Sequence, residues 1–387
     1  MSELNPQVFV WAREAAGLTV DEAASALHIK SRSLQEIEAG RVDPSRPQLL
    51  HMAQVYRRSL LIFYLPAPPA KGDRGQDFRT VIAERAQSAE AGIDALVRDV
   101  RSRQGVVRST LQDDDDIEPL AFVGSMGMGA GVAVVRDSIV NAIGFDLVEF
   151  RKQASAELAF NALRAKVESV GVFVMLIGNL GSHHSAISVE AFRGIAIADP
   201  IAPFIVINDQ DARVAWSFTL LHELAHLWLG ASGVSDGPSE QRIEQFCNEV
   251  AAEMLVPKAE LAAIELDELD EDERIEAIEK LARLWRVSRP MIAYRLLKAG
   301  RVSLGDWRSL DAKFRAMFVA ERQREKTAAS AKQGAPSYYV VRRHKLGPAM
   351  LDFASRSLNA GTLSPVKAAQ VLGVSPRSVF ALLAPTV

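Results

Sequence analysis

The chain contains the stretch Val214-Ala-Trp-Ser-Phe-Thr-Leu-Leu-His-Glu-Leu-Ala-His-Leu-Trp-Leu-Gly230, which predicts a buried helix. The stretch is strongly apolar and has no interior glycine or proline, and Gly230 can adopt the left-handed conformation that ends a helix. His222 and His226 are four residues apart, so they would share one face with their Cβ atoms about 5–6 Å apart. Two imidazoles so placed can bind one small cation, typically Zn²⁺, and Glu223 beside them can act as a general base.

The alternative interpretation is that both histidines are core residues hydrogen-bonded to the backbone. A buried His-Glu-His cluster is costly unless a metal or other partners compensate it. Because the motif and its helical context agree, the sequence favours a metal site with two histidine ligands, one general base and one open coordination position.

A second helix is predicted for Ser239-Glu-Gln-Arg-Ile-Glu-Gln-Phe-Cys-Asn-Glu-Val-Ala-Ala-Glu-Met-Leu-Val-Pro257. Glu244 and Asn248 would share one of its faces, and Glu249 and Glu253 another. We predict that Glu244 is the third metal ligand and that Asn248 hydrogen-bonds beside it. A solvated helix face is the alternative for each of these acidic residues.

The segments Phe218-Thr-Leu-Leu-His-Glu-Leu-Ala-His226 and Glu244-Gln-Phe-Cys-Asn-Glu-Val-Ala-Ala-Glu-Met-Leu-Val-Pro257 resemble the ImmA/IrrE family of zinc metallopeptidases. The resemblance covers roughly residues 150–300. It implies that His222, His226 and Glu244 are zinc ligands and that Glu223 is the catalytic base. It also implies that relatives cleave repressors in stress, phage or mobile-element control. Cys247 departs from the alanine common in that family, and we interpret it as tolerated packing.

Residues 1–65 predict a compact helical unit. Leu18-Thr-Val-Asp-Glu-Ala-Ala-Ser-Ala-Leu27 begins with a capping box, and Ser31-Arg-Ser-Leu-Gln-Glu-Ile-Glu-Ala39 is a second helix that ends before Gly40. Two short helices joined by a tight turn are typical of a helix-turn-helix. The stretch resembles the XRE (phage repressor and Cro-like) DNA-binding domain, from which it departs at Val20, where glutamine is common, and at His28, where glycine is common.

Polar residues at the start of the second of these helices are predicted to face DNA. These are Ser31, Arg32, Ser33 and Gln35, with Lys30, Arg41 and Arg46 as candidates for phosphate contacts. The unit is not basic, because it holds seven Lys/Arg and seven Asp/Glu residues. Protein–protein interaction is therefore the alternative to DNA binding for this domain.

The composition sets limits on the remaining interpretation. The net charge of −3 predicts no general affinity for nucleic acid or membrane, so any DNA binding must come from a local surface. The single cysteine allows no internal disulfide, and the N-terminus lacks the basic and apolar regions of a secretory signal. We therefore expect a cytoplasmic protein.

Short β-branched runs at residues 171–177, 186–189, 194–197 and 204–207 suggest a small antiparallel sheet. The run at 204–208 is a candidate for an edge strand that pairs with an extended substrate, and an ordinary core strand is equally consistent. Residues 323–337 predict a polar connecting stretch, and residues 338–343 are consistent with another strand. His183, His184 and Tyr294 are candidates for stabilising an oxyanion.

We predict a mainly α protein with a small antiparallel β-sheet, of the α+β class. Its parts are a five-helix XRE-like DNA-binding domain (1–65), a linker and helical region (66–149), a zincin-like peptidase domain (150–300) and a helical C-terminal region (301–387). The expected cofactor is Zn²⁺. The expected partners are operator DNA, bound through residues 1–65, and a regulatory protein substrate; a homodimer is expected, and no membrane.

These features together indicate a transcriptional regulator with a zinc-dependent endopeptidase domain that cleaves a repressor, another regulatory protein or itself. Two alternatives remain open. In one, the chain is a DNA-binding transcription factor whose metallopeptidase-like domain acts as a sensor or interaction module without proteolysis. In the other, it is a toxin–antitoxin-type binding partner. The presence of Glu223 favours the peptidase, because a sensor has no need of a general base.

Overall fold

The computed structural model describes residues 4–69, 87–113, 117–180, 185–230, 238–264, 266, 269–331 and 337–384. These residues are mainly helical and contain one three-stranded sheet, which confirms the predicted α+β class. The chain divides into two compact units, Met1–Ser102 with Gly178–Phe192, and Arg103–Ile177 with Arg193–Val387. Within the described part of the chain, every helix is too short or too polar to cross a membrane.

The first unit begins with four α-helices and a 3-10 helix. They are α1 (Pro6–Glu14), α2 (Val20–Ala26), α3 (Ser31–Glu38), α4 (Arg46–Val55) and the 3-10 helix Leu60–Tyr64, which takes the place of the fifth predicted helix. The capping box is present at the start of α2, where the Glu22 amide donates to Thr19 Oγ1 and the Thr19 amide donates to the Glu22 carboxylate. Arg13 Nε donates to Glu38 Oε1 at 2.7 Å and so joins α1 to α3.

The turn between α2 and α3 explains the departure at His28. This residue has a φ of 56°, in the left-handed region that glycine adopts without strain. Histidine is one of the few other residues enriched there. The turn therefore keeps its conformation with a side chain in place of the usual glycine.

The longest early helix, α5 (Gln87–Gln112), starts in the first unit and ends in the second. The rest of the second unit consists of α6 (Val132–Ile143), α7 (Leu147–Lys152), α8 (Ala156–Ser169), β1 (Phe173–Leu176), β2 (Gly194–Ile197), β3 (Phe204–Ile207), α9 (Trp216–Leu229), α10 (Pro238–Leu255), α11 (Lys258–Leu261), α12 (Glu271–Trp285), α13 (Arg289–Lys298), α14 (Leu304–Ala331), α15 (Tyr338–Leu346), α16 (Pro348–Asn359), α17 (Pro365–Leu372) and α18 (Val379–Leu383). Three short 3-10 helices, Met128–Ala130, Arg213–Ala215 and Pro376–Ser378, complete it.

The sheet is mixed, so the prediction of a purely antiparallel sheet is wrong in this detail. Its order is β1-β3-β2, with β1 parallel to β3 and β2 antiparallel to β3. The chain direction reverses between β1 and β2 and again between β2 and β3, so β1 and β3 run the same way. The predicted strand at 186–189 is reduced to a single bridge between Asn179 and Ala186.

The position of β3 decides between the two interpretations of residues 204–208, an edge strand for substrate and an ordinary core strand. β3 is hydrogen-bonded on both sides, so residues 204–208 form a central strand rather than an edge. All four residues of β3 are buried, as expected of a strand covered on both faces. Among the described strands, the edges are β1 and β2, and β2 is the edge strand that contacts α9.

Helix α9 lies at the centre of the second unit, against α6, α8, α10 and the sheet. It ends as predicted, with Gly230 in the left-handed conformation at a φ of 59°. The Gly124 amide donates to the Leu227 carbonyl at 2.9 Å, and the rings of Phe122 and Trp228 stack with centroids 4.3 Å apart. Residues before position 150 therefore help to build the core around α9.

The buried Arg164 joins α8 to the C-terminal helices. Its Nε donates to Glu168 Oε1 at 3.0 Å, and its guanidinium also donates to the carbonyls of Val174 and His344. The other oxygen of Glu168 accepts the Ala349 amide at 3.1 Å. Burial lowers the pKa of Arg164 and raises the pKa of Glu168, although each partner favours the charged form of the other.

We expect Arg164→Ala to lower the free energy of unfolding by about 3–5 kcal/mol, because it leaves the Glu168 carboxylate buried without its cation. Chemical denaturation followed by circular dichroism measures this loss. Arg356→Ala is the matched control, since Arg356 and Asp352 form an exposed pair at 2.9 Å and such pairs contribute about 0–1 kcal/mol. Equal losses in the two variants would contradict the structural role of Arg164.

The strand suggested at residues 338–343 is wrong, because these residues form most of helix α15. Arg342 donates to the Leu372 carbonyl at 2.6 Å and Arg343 donates to the Leu382 carbonyl at 2.7 Å. These carbonyls lie at the ends of α17 and α18, where the helices leave acceptors unsatisfied. Tertiary contacts of this kind override the β-preference of the Tyr-Tyr-Val-Val run. The polar stretch after residue 322 is also helical as far as Ala331.

Candidate metal centre

Helix α9 places the two histidines of the motif side by side. His222 Nε2 and His226 Nε2 are 3.1 Å apart, and the ring centroids are 4.8 Å apart. The two side chains are only 12% and 10% exposed. The predicted helical spacing therefore produces a convergent and largely dehydrated pair of nitrogen donors.

Helix α10 supplies the third donor, as the sequence predicted. Glu244 Oε2 lies 3.3 Å from His222 Nε2, and Glu244 Oε1 lies 3.2 Å from His226 Nε2. One donor atom from each residue falls within 4.8 Å of the others. In the described part of the chain, this is the group of His, Cys, Asp and Glu side chains with the geometry to hold a metal ion.

The donor set fits a zinc ion. Bond lengths of about 2.0–2.2 Å in a tetrahedral site place neighbouring ligand atoms roughly 3.3–3.5 Å apart. The two Nε2 atoms are 3.1 Å apart, and each lies 3.2–3.3 Å from a different oxygen of Glu244, so each of these contacts is close to such an edge. In addition, His222 Nδ1 and His226 Nδ1 are buried and have no hydrogen-bond partner among the described residues. Each Nδ1 can therefore carry the ring proton and leave the Nε2 lone pair for a cation.

The electrostatics of the cluster also indicate that a cation belongs there. Burial opposes the charge of Glu244, but hydrogen bonds and the charges of His222 and His226 outweigh burial and hold the pKa of its carboxyl far below the ordinary value. Burial likewise opposes the charge of His226, but its contacts with Cys247 and Glu244 raise its pKa well above the ordinary value. The Glu244 carboxylate thus stabilises positive charge on the His226 imidazole, as it would stabilise a metal ion.

Cys247, which the sequence analysis interpreted only as tolerated packing, is also a neighbour of the site. Its side chain is fully buried and lies against His226, the second histidine of the motif. Burial is the main reason why the pKa of its thiol is raised. The only available signal was its spacing, since it follows Glu244 by three residues and so shares the inward face of α10.

The predicted general base, Glu223, is also buried, with 7% of its surface exposed. It lies between α9 and the start of β2, because a Cβ atom placed on Gly194 would lie only 2.7 Å from Glu223 Cγ. The structure therefore places the carboxylate in a narrow space beside the two histidines, where it is shielded from bulk water.

The remaining acidic and amide residues of α10 have other surroundings. Asn248 is exposed, and the described residues include no hydrogen bond from it to the cluster. Glu249 accepts a hydrogen bond from Arg295 at 3.0 Å, and Glu253 accepts another from the same guanidinium. Arg295 is 3% exposed and also donates to the Val256 carbonyl, so the second acidic face of α10 attaches α13 rather than a metal.

Tyr294 is the one oxyanion candidate that falls within the described residues. His183 and His184 lie outside the described residues. Tyr294 is 41% exposed, and its ring packs edge-on against Trp307 with centroids 6.2 Å apart. The described part of the chain therefore offers no side-chain assignment for this role.

The residues predicted to contact DNA lie between the start of α3 and the start of α4. Lys30, Arg32, Ser33, Gln35, Arg41 and Arg46 are exposed. Ser31 is half-buried, and its hydroxyl donates to Asp21 Oδ1 at 2.6 Å. Arg32 lies 3.3 Å from Glu36 at the next turn of α3, so its guanidinium has to leave this partner before it can contact a base. The available positive charge is therefore concentrated at Lys30, Arg41 and Arg46.

Comparison with known proteins agrees with both parts of this description. A family model described as the IrrE N-terminal-like domain, of the M78 peptidases, matches residues 174–297. This range includes most of β1, all of β2 and β3, the three candidate ligands and Glu223. A helix-turn-helix domain model matches residues 11–60. No curated protein and no solved structure matches the chain significantly. The chain therefore combines an N-terminal helix-turn-helix domain of the XRE type with an IrrE N-terminal-like domain of the M78 peptidases.

Proposed function

We propose that this chain is a cytoplasmic, DNA-binding transcriptional regulator whose IrrE-like domain is a zinc-dependent endopeptidase. Its substrate is a regulatory protein such as a repressor, or the chain itself, in a stress, phage or mobile-element response. The observation that carries the proposal is the convergence of His222, His226 and Glu244 at separations of 3.1–3.3 Å beside the buried Glu223. A sensor without proteolysis requires the ligands His222, His226 and Glu244, but it does not require Glu223.

The roles of the residues follow from their chemistry. His222, His226 and Glu244 would hold the ion, which when bound supplies the Lewis acidity that polarises a peptide carbonyl and acidifies water. Glu223 takes a proton from the attacking water and delivers it to the leaving amine. Because Glu223 is shielded from bulk water, its carboxylate keeps a strong interaction with that proton.

The position of β2 supports a peptide as the substrate. β2 is an edge of the described sheet, and it begins at Gly194, against Glu223. An extended chain that pairs with this edge by main-chain hydrogen bonds would pass in front of the base. Such pairing depends little on side chains and suits an unfolded or extended segment of a protein.

DNA binding is assigned to residues 1–65, with α3 in the major groove and Lys30, Arg41 and Arg46 near phosphates. Binding as a homodimer would place two such helices on neighbouring half-sites. For the rest of the chain we propose a linker and helical region (66–149), a peptidase domain (150–300) and a helical C-terminal region (301–387). Arg164 holds the C-terminal region to the peptidase domain.

The proposal is tested with the full-length protein loaded with one zinc ion per chain. Hydrolysis of a quenched fluorogenic peptide library is compared before chelation, after chelation and after reloading, and retention of the chain's own promoter DNA is measured at rising salt. We expect zinc-dependent cleavage and salt-sensitive retention. DNA retention without any cleavage would support the sensor alternative instead, and cleavage without retention would support protein interaction by residues 1–65.

A further inference from the structure

The first residue of β2 has no side chain at the point where one would collide with the general base. A Cβ atom on Gly194 would lie 2.7 Å from both Glu223 Cγ and Thr219 Cγ2, and closer still to Glu223 Oε1. Real Cβ atoms essentially never come closer than 3.0 Å to another heavy atom. Any other residue at position 194 must therefore displace either the strand or both the Glu223 and Thr219 side chains.

The backbone conformation does not explain this glycine. Gly194 is not among the residues with positive φ, unlike Gly230 at the end of α9. It pairs with Ile207 in regular antiparallel register. A glycine inside a strand weakens the strand, and such a residue often marks a close approach of another group. The close approach here is that of Glu223.

Two groups confine the Glu223 carboxylate. The backbone of Gly194 borders it on the side of the sheet, and Thr219, one turn earlier on α9, presents its methyl group to the same space. The Thr219 hydroxyl donates to the Ala215 carbonyl at 3.3 Å, which directs the methyl group away from that bond. Glu223 also directly follows the proposed ligand His222 on α9, and its carboxylate is close enough to His226 to interact with it electrostatically.

We propose that Gly194 is a positioning residue for the proposed peptidase reaction, because its missing side chain creates the slot that holds the Glu223 carboxylate beside the metal ligands. The inference rests on the proposed function of Glu223 as the base. The Glu223 carboxylate can transfer a proton only to atoms within hydrogen-bond reach. Gly194 therefore affects catalysis through the position of this carboxylate and makes no contact with the metal.

In Gly194→Ala, the carboxylate has to retreat by roughly 1 Å to restore an ordinary contact. A misplacement of that size can lower turnover by about 100-fold. We expect this loss in kcat for the peptide library, with little change in KM and with zinc content still at one ion per chain. Gly105→Ala is the matched control, because a Cβ on Gly105, within α5, meets nothing within 4 Å.

A second measurement tests the slot without any assay of turnover. We expect Gly194→Ala to lower the melting temperature in the wild-type background, and to lower it much less when Glu223→Ala and Thr219→Ser remove the colliding atoms. An equal loss in both backgrounds, or wild-type kcat in Gly194→Ala, would overturn the inference. A wild-type protein that cleaves no peptide would instead contradict the proposed function, while the melting temperatures would still support or reject the slot.

Discussion

Glu223→Gln is expected to abolish most peptide hydrolysis, with a fall in kcat of about 10²–10⁴-fold, because the amide cannot accept and return the proton of the attacking water. The amide has nearly the same shape as the carboxylate, so it fits the space between Thr219 and Gly194. His222, His226 and Glu244 are unchanged in this variant. Zinc content should therefore remain at one ion per chain, which separates loss of the base from loss of the metal.

The measurement is the initial rate with the fluorogenic peptide library, together with zinc content by atomic emission on the same sample. Glu276→Gln is the matched control, since Glu276 is an exposed residue of α12. Full hydrolysis by a zinc-loaded Glu223→Gln protein would show that another group is the base. The sensor alternative would be supported if the Glu223→Gln protein kept full activity in cells and the wild-type protein hydrolysed no peptide.

His226→Ala is expected to lose zinc. It removes one of the three proposed protein ligands. Removing a group that only hydrogen-bonds to a ligand lowers metal affinity by about 10–100-fold, so removing a ligand itself should lower the affinity by more than about 100-fold. The substitution also leaves Glu244 with one histidine instead of two at 3.2–3.3 Å. After dialysis against metal-free buffer, we expect about one zinc ion per wild-type chain and almost none in the variant.

Two substitutions on α10 complete this experiment. Gln245→Ala, at an exposed position next to Glu244, should retain zinc like the wild type. Asn248→Ala tests the predicted hydrogen-bonding role of that amide, and the exposure of Asn248 leads us to expect little change in affinity. Unchanged zinc content in His226→Ala would refute the assignment of this histidine as a ligand.

The metal centre was predictable because most of its geometry is local. His222 and His226 converge as soon as residues 216–229 become helical, and Glu244 belongs to a helix with the right spacing of inward-facing residues. The capping box at Thr19 and the end of α9 at Gly230 are likewise local features. By contrast, the mixed sheet and the central position of β3 depend on pairings between distant segments, which β-propensity does not encode.

The sequence by itself determined the helical character of the chain, the helix-turn-helix and the three side chains of the candidate metal centre. Only the tertiary structure decided that Glu249 and Glu253 serve Arg295, that α15 is a helix and that β2 is the edge strand beside the site. It alone also placed Gly194 against Glu223 and Thr219, where a Cβ atom would collide with both side chains. The physical reason is that periodicity and capping act within a few residues, whereas burial, ion pairing and steric exclusion depend on which segments meet.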